Sequence, residues 1–565
     1  MGKFTMENKK LVKSFKQSSS LTLYHCIKIT NTVNKNHNKS KNAQKSMTQA
    51  ATSKEAKQPL GLYKLCTARW LTYGLGFVAL YLFLAWGYGD VFARAEQDSY
   101  ISTSTETMYY LLSQPLGHWY WLLRWPLLLF KWAWVGGLLL AGIYTLTARF
   151  TDAAFRLPRK WEGVGFIVPL AQIGWIIYRG TNLYYKHEPS LFLAIAIYAL
   201  VATAVMAAIS WLITRKKKVV LPERVRPIGL CITLLLTALT TGAARYFNQN
   251  EILLARLQLQ QQQQDWETMI ETARSARQPS RAVAAYHAVA LEETDQLLDG
   301  MFELVYEYPK ARLDTIDGNE EYGLFLADCN YHAGLLNAGY RCAMDQNVMN
   351  GPRLYNFKRM AVCALLMGEK ELCQKYLTII SQMPFEGDFV DKYTAMLHNS
   401  KLIDEDAELK HVLSLAPKED YFEQNYLSPL FLGYNTGINQ GTDATLITSA
   451  AACLYQKDLK AFYFRAQILG QKGFNFPMSM QEALGILAIK HPELHIMEQF
   501  PQIGQFVPGS INSFLIDAKP FAKDRLALRH ELRKAWLGTY MYYYYTENND
   551  PNQVRKEEKK STEVN

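Results

Sequence analysis

Two carboxylates open the question of chemistry. Glu96 and Asp98 stand two residues apart in Glu96-Gln97-Asp98, just after an uncharged apolar run. A carboxylate there could take a proton from an acceptor hydroxyl or hold a divalent cation. A second constellation is His491-Pro492-Glu493-Leu494-His495. Four-residue spacing on a helix would put both imidazoles on one face as metal ligands. Pro492 comes directly after the first histidine and no third ligand is evident, so the segment reads as a surface turn. Eight cysteines contain no C-x-x-C pair, which excludes a zinc ribbon or dithiol motif. Cys329, Cys342, Cys363, Cys373 and Cys453 fall in the C-terminal half, several at small-residue packing positions. They read as buried thiols, with pairing in an oxidising compartment the alternative. No G-x-S-x-G, H-E-x-x-H or phosphate-binding loop occurs. No cofactor or metal site is therefore expected, and Glu96 and Asp98 are the only catalytic candidates.

The elements that must position these residues differ sharply along the chain. Residues 1–69 hold thirteen Lys, one Arg and two Glu, net +12. Residues 70–245 are overwhelmingly apolar. Residues 246–565 hold 31 basic and 41 acidic side chains, net −10. The overall +10 therefore does not imply a nucleic-acid partner, since the positive charge lies in one tail.

The tail, residues 1–69, is polar and poor in large apolar residues, so it reads as disordered and cytoplasmic. It lacks a signal peptide: Leu21–Tyr24 is too short for an apolar region, and Lys28 prevents its extension. It could lie on anionic lipid as a basic arm. Alternatively, translation begins at Met47.

Residues 70–245 read as a transmembrane domain of about five helices, because about 20 apolar residues cross a bilayer. The runs are Leu71–Tyr88, Pro126–Thr147, Gly163–Tyr178, Ser190–Thr214 and Pro227–Ala244. Ten of twelve tryptophans lie between Trp70 and Trp211. Trp119, Trp121 and Trp125 cluster before the second run, as rings at a headgroup level do. Lys131 sits near a span end, from which it can snorkel. Loop charges alternate: Arg149, Arg156, Arg159 and Lys160 lie on one side, as do Arg215 to Lys218. Glu96, Asp98 and Glu106 lie on the other. The N-terminus is then cytoplasmic and the acidic half outside, in the periplasm of a bacterium with this chain in its inner membrane.

Residues 246–500 show helical periods and no sustained strand alternation. Glu251–Glu271 reads as one helix, with Gln260–Gln264 on a solvated face. Ala327 and Ala361, Cys329 and Cys363, and Gly334 and Gly368 are each 34 residues apart. Phe357–Pro384 reads as helix, turn, helix: Met360, Ala361, Ala364 and Leu365, a turn at Gly368, then Leu372, Cys373, Tyr376, Leu377 and Ile380. Similar patterns occur at Leu324–Val348 (Ala327, Gly334, Gly339, Ala343), Ser280–Pro309 (Ala284, Ala288, Glu292, Phe302) and Ile447–Phe474 (Ala450, Cys453, Ala461). These segments resemble the tetratricopeptide repeat over roughly residues 252–480. The match departs from the repeat at its early aromatic, present only as Phe357, and in two copies without a terminal proline. Residues 501–546 read as a loop or short helices through Pro501, Pro508 and Pro520, then a capping helix Phe521–Tyr545. Residues 547–565 read as a frayed tail.

The expected fold is all-α: about five membrane helices leading into an extracytoplasmic α-solenoid. The whole is similar to an uncharacterised group of bacterial multi-pass membrane proteins. The solenoid resemblance implies a scaffold for a protein or peptide partner, beside the lipids around the anchor. Two alternatives remain. Polytopic glycosyltransferases that use lipid-linked sugars place acidic residues in the first outer loop, where Glu96 and Asp98 stand. A transporter component would need ionisable residues along the spans, and these are nearly absent.

Overall fold

The computed structural model describes residues 69–158, 161–179, 188–214, 228–247, 249–277, 279–304, 321–417 and 442–546. The tail readings for residues 1–68 and 547–565, including Met47, Cys26 and Cys66, lie outside these residues. All described residues fall in one compact unit, Leu65–Asn565. They contain helices and no strand, as the periodicity predicts.

The apolar part begins with α1 (Arg69–Leu82), which runs through a π-helical turn at Phe83–Gly87 into α2 (Gly89–Gln97). Then come α3 (Thr105–Leu112), α4 (Gly117–Leu127), α5 (Ala133–Ala154), α6 (Ile167–Arg179), α7 (Leu191–Thr214) and α8 (Ile228–Phe247). Two of these are long and apolar enough to cross a membrane, Ala133–Ala154 and Leu191–Ile213. Leu71–Gly87 with Gly89–Gln97 makes a third if the pair, bent by 60°, counts as one span. Val164–Tyr178 is apolar but short. The second apolar run does not start at Pro126. Pro126 ends α4 inside its last turn, and a 3-10 turn at Leu128–Lys131 separates it from α5. A proline blocks the backbone bond that would continue the helix.

The remaining helices are α9 (Gln249–Gln262), α10 (Trp266–Arg274), α11 (Arg281–Glu293), the short α12 (Leu297–Gly300), α13 (Glu321–His332), α14 (Leu336–Asn350), α15 (Leu354–Leu366), α16 (Lys370–Ser381) and α17 (Gly387–His398). They continue with α18 (Lys401–Glu405), α19 (Ala407–Leu415), α20 (Asp443–Gln456), α21 (Leu459–Gln471), α22 (Met478–Lys490), α23 (Ile496–Gln499), α24 (Val507–Ala518), α25 (Arg525–Trp536) and α26 (Tyr540–Thr546). Local chemistry starts several of them. Ser280 accepts from the Val283 N–H, Asp406 from Leu409, and Thr442 and Thr445 form a reciprocal capping box. Helices α9, α10 and α11 pack in succession, α11 packs on α13, and from α13 to α17 each helix packs on the next. The expected pairs at 324–348, 357–384 and 447–474 are present as α13–α14, α15–α16 and α20–α21. The pair at 280–309 has a full first helix and only α12 after it.

Of the two readings for the proline-rich stretch, short helices hold at Val507–Ala518, because Pro508 sits in its first turn, where no amide donor is needed. Two expectations change. Glu251–Glu271 is two helices, broken where Gln264 adopts φ +57. Phe521–Tyr545 breaks at Gly538, φ +95, and this lets α26 fold back. Tyr540, Met541, Tyr542 and Tyr543 are buried, and Tyr543 donates to the Tyr455 carbonyl at 2.8 Å.

Apolar packing is continuous between the two compositional halves. One buried cluster joins Leu80, Phe92 and Tyr144 to Leu254, Ala285 and Tyr542. A second joins Tyr100, Ile101 and Leu128 to Ala361, Leu377 and Val412.

Candidate functional site

Glu96 and Asp98 do not form a pair. Residues two apart on a helix point to different sides, and α2 with its C-cap Asp98 obeys this. Both are buried, but in separate charge clusters.

Asp98 meets two arginines, Arg94 Nη2 at 3.3 Å and Arg353 Nη1 at 3.4 Å. The Leu354 amide donates to the Ser99 carbonyl at 3.1 Å, so the end of α2 is fastened to the start of α15. Arg94 is fully buried, lies over the Tyr355 ring at 4.3 Å, and leaves Nε and Nη1 without hydrogen-bond partners.

Glu96 faces Glu386, Lys358 and Lys131. Burial first, then the nearby Glu386 carboxylate, push its carboxyl up to about 8, while the lysines pull it down. Glu386 binds Lys131 Nζ at 2.8 Å and Lys358 Nζ at 2.5 Å. Lys131 also donates to the Phe385 carbonyl. It therefore sits in the turn before α5 as an ion-pair partner, not as a snorkelling side chain.

Beyond Tyr355 lies a third cluster around Asp328 on α13. Tyr286 donates to Asp328 at 2.5 Å, Tyr355 donates to it as well, and Arg359 binds it through Nε and Nη2. The Arg359 guanidinium lies 3.8 Å over the Tyr331 ring, and Tyr331 donates to Glu408 at 2.9 Å. Burial, reinforced by Asp328, lifts Tyr286 and Tyr355 well above the ordinary phenol range. Neither can act as a base near neutrality. Sequence reasoning missed this cluster because the groups that bind Asp328 lie 27 to 42 residues from it on other helices. Two glutamines of α9 belong to it: Gln258, just before the glutamine run, donates to Tyr286 at 2.8 Å, and Gln261 lies 2.9 Å from His332. Gln260 and Gln261 are buried while Gln262, Gln263 and Gln264 are exposed, so the solvated face covers only the second part of the run.

Glu292, Glu293 and His411 bring ligand atoms within 4.8 Å of one another, the one such grouping with metal-ligand chemistry among the described residues. The direct contact between His411 and Glu292 accounts for it. His411 Nε2 reaches Glu292 at 3.1 Å, and that hydrogen bond pushes His411 up to about 9. His491 and His495 are exposed and pair with Glu493 and Glu498, as a surface turn should. Cys342, Cys363 and Cys373 are free thiols, and Cys329 and Cys453 are buried. Burial pushes Cys342 and Cys363 to about 12 and Cys373 to about 11, away from thiolate reactivity.

Asp98 also borders a cavity of about 320 Å³ between α3, α4 and the turn from α14 to α15. A family model matches residues 64–244 and 175–547, and so spans both halves of this arrangement. The chain belongs to the family of unknown function DUF6057. No curated protein and no solved structure matches it. The two matched segments overlap at residues 175–244.

Proposed function

We propose that this DUF6057 member is an integral membrane protein of about five spans whose helical pairs form a tetratricopeptide-like scaffold for a protein or peptide partner. The observation that carries the membrane part is the surface of α7. Its membrane-length stretch has mean hydropathy 2.5 and is only 22% buried. Tyr198, Val201, Val205, Ile209 and Leu212 are exposed there, and a lipid surface would cover them. The spans would be Leu71–Gly87, α5, α6, α7 and α8, with α2 beyond the bend and outside the bilayer. The alternating loop charges put the N-terminus in the cytoplasm and the helical pairs in the periplasm.

The repeat reading is supported by register. Gly334 and Gly368 both turn between paired helices at positive φ, +76 and +79. Ala327 and Ala361, and Cys329 and Cys363, are buried at the same spacing. On α14, Met344, Val348 and Met349 leave apolar surface exposed, with Val348 at 79%.

A photoactivatable residue placed at Val348 in native membranes should give one reproducible protein adduct, while the same probe at Leu526 should not. Adducts to lipid alone at Val348 would remove the scaffold reading. A reporter fused after residue 250 and active only in the cytoplasm would reverse the orientation.

The second reading is a glycosyltransferase-type enzyme, favoured by Asp98 at the cavity wall. Asp98→Asn would then abolish a cellular phenotype at unchanged protein level. Glu96 has no part in it, because it belongs to the lysine cluster.

A further inference from the structure

We propose that Leu116 and Phe385 are wedges that enter the outer leaflet of the membrane, so that the helical pairs rest on the bilayer at the turn from α16 to α17. The inference rests on the membrane reading of α5 and α7.

Among the described residues, seven other than glycine have positive φ, and five of these are polar or charged. The two apolar ones are Leu116, φ +62, and Phe385, φ +67. That backbone region is costly for a bulky side chain and persists only where the surroundings impose it. Both side chains are nonetheless exposed, Leu116 at 65% and Phe385 at 53%. In water neither the strain nor the exposure brings a compensating contact. Acyl chains over the two side chains would supply one.

Both turns are fixed from behind. Glu386, next to Phe385, is buried and held by Lys131 Nζ at 2.8 Å and Lys358 Nζ at 2.5 Å. Lys131 also donates to the Phe385 carbonyl. At Gly117, next to Leu116, an added Cβ would come 1.9 Å from the Leu111 carbonyl oxygen, so the turn from α3 to α4 closes tightly on α3.

Each tip lies beside a membrane-length helix. Trp132, directly before α5, packs on Phe385 with ring centroids 5.2 Å apart. Trp134 and Leu138, four residues apart on α5, are exposed and continue the apolar surface along the span. From Leu116 a second apolar stripe runs through Trp119 and Leu122 on α4, both exposed. Trp119 meets the Tyr198 ring of α7 at 6.3 Å. Tryptophans near the ends of spans sit at the headgroup level, where a side chain must lie to enter one leaflet. With the N-terminus cytoplasmic, α5 and α7 both begin on the outer side, and so both tips face the same leaflet.

The test uses the full chain in liposomes of equal parts phosphatidylcholine and phosphatidylglycerol. A photoactivatable residue replaces Leu116, Phe385, Ile209 or Leu526, one per variant, and the adducts are identified by mass spectrometry. Ile209, exposed on α7, reports on the membrane reading, and Leu526, exposed on α25, is the reference outside the spans. Lipid adducts are expected at Leu116 and Phe385, at least tenfold above Leu526. The two tips are fixed by separate contacts, so if one variant misfolds the other decides. Lipid captured at Ile209, with only water or a second copy of the chain captured at either folded tip, would overturn the wedges and leave the membrane reading standing. No lipid at Ile209 would overturn both. Crosslinking at Val348 is independent, because α14 has no part in either turn.

Discussion

Arg359 holds Asp328 through two hydrogen bonds, from Nε at 3.1 Å and Nη2 at 2.9 Å, where Asp328 has no exposed surface. The same carboxylate accepts from Tyr286 and Tyr355. Four donors on α11 and α15 thus converge on one group of α13. Through Tyr355 and Arg94 the arrangement continues to Asp98 at the end of α2.

Removing Asp328 should leave Arg359 buried and uncompensated. Asp328→Ala is expected to cost about 3–5 kcal/mol. Combining it with Arg359→Leu should cost less than the sum of the single changes, because both remove the same interaction. Thermal unfolding of the purified protein in detergent measures both. A loss below about 1 kcal/mol for Asp328→Ala would show that the cluster does not hold these helices together.

Gly334 and Gly368 occupy equivalent turns 34 residues apart, yet they should not tolerate alanine equally. Both have positive φ, which costs an L-residue about 1–2 kcal/mol. At Gly368 nothing lies within 4 Å of an added Cβ, so that cost is the whole effect. At Gly334 the Cβ would meet the Leu415 carbonyl carbon at 2.5 Å, and backbone must move. Gly334→Ala should therefore lower the melting temperature clearly more than Gly368→Ala. Equal shifts would mean that α19 is not seated against the α13–α14 turn.

His411 should make stability fall with alkaline pH. Its folded-state value is pushed up to about 9, first by the hydrogen bond to Glu292 and further by Glu292, Glu293 and Asp295 as charges. Folding then favours the protonated ring. The stabilisation is complete below the ordinary value of about 6.5 and is lost as pH rises through about 9. The expected loss is on the order of 1–3 kcal/mol. His411→Gln should flatten the melting curve between these pH values. An unchanged slope in that variant would assign the alkaline loss to another group.

Much of the local structure is legible in the sequence. The pairs α13–α14, α15–α16 and α20–α21 appear within a few residues of where small residues, turn glycines and apolar spacing put them. Ser280 is readable as a cap because it precedes an apolar period and comes after Pro279. Local reading fails where a helix must stop. Gln264 and Gly538 break helices whose side chains would have let them continue, and nothing within one turn marks Gln264 as a stop. At Pro126 the composition stays apolar while the backbone turns, so the apolar run begins before the membrane-length helix does.

The candidate site is less legible. By itself the amino-acid sequence determined the helical class, the segregation of apolar and acidic halves, and the 34-residue recurrence. These depend on neighbours within a few residues and on bulk composition. Only the tertiary structure decided that Glu96 and Asp98 part into different clusters. It also joined Lys131 to Glu386, 255 residues away, and turned Gln258 and Gln261 inward against Tyr286 and His332. A charge buried by distant helices takes its partner from whichever side chain the packing brings near, and no local period records that choice.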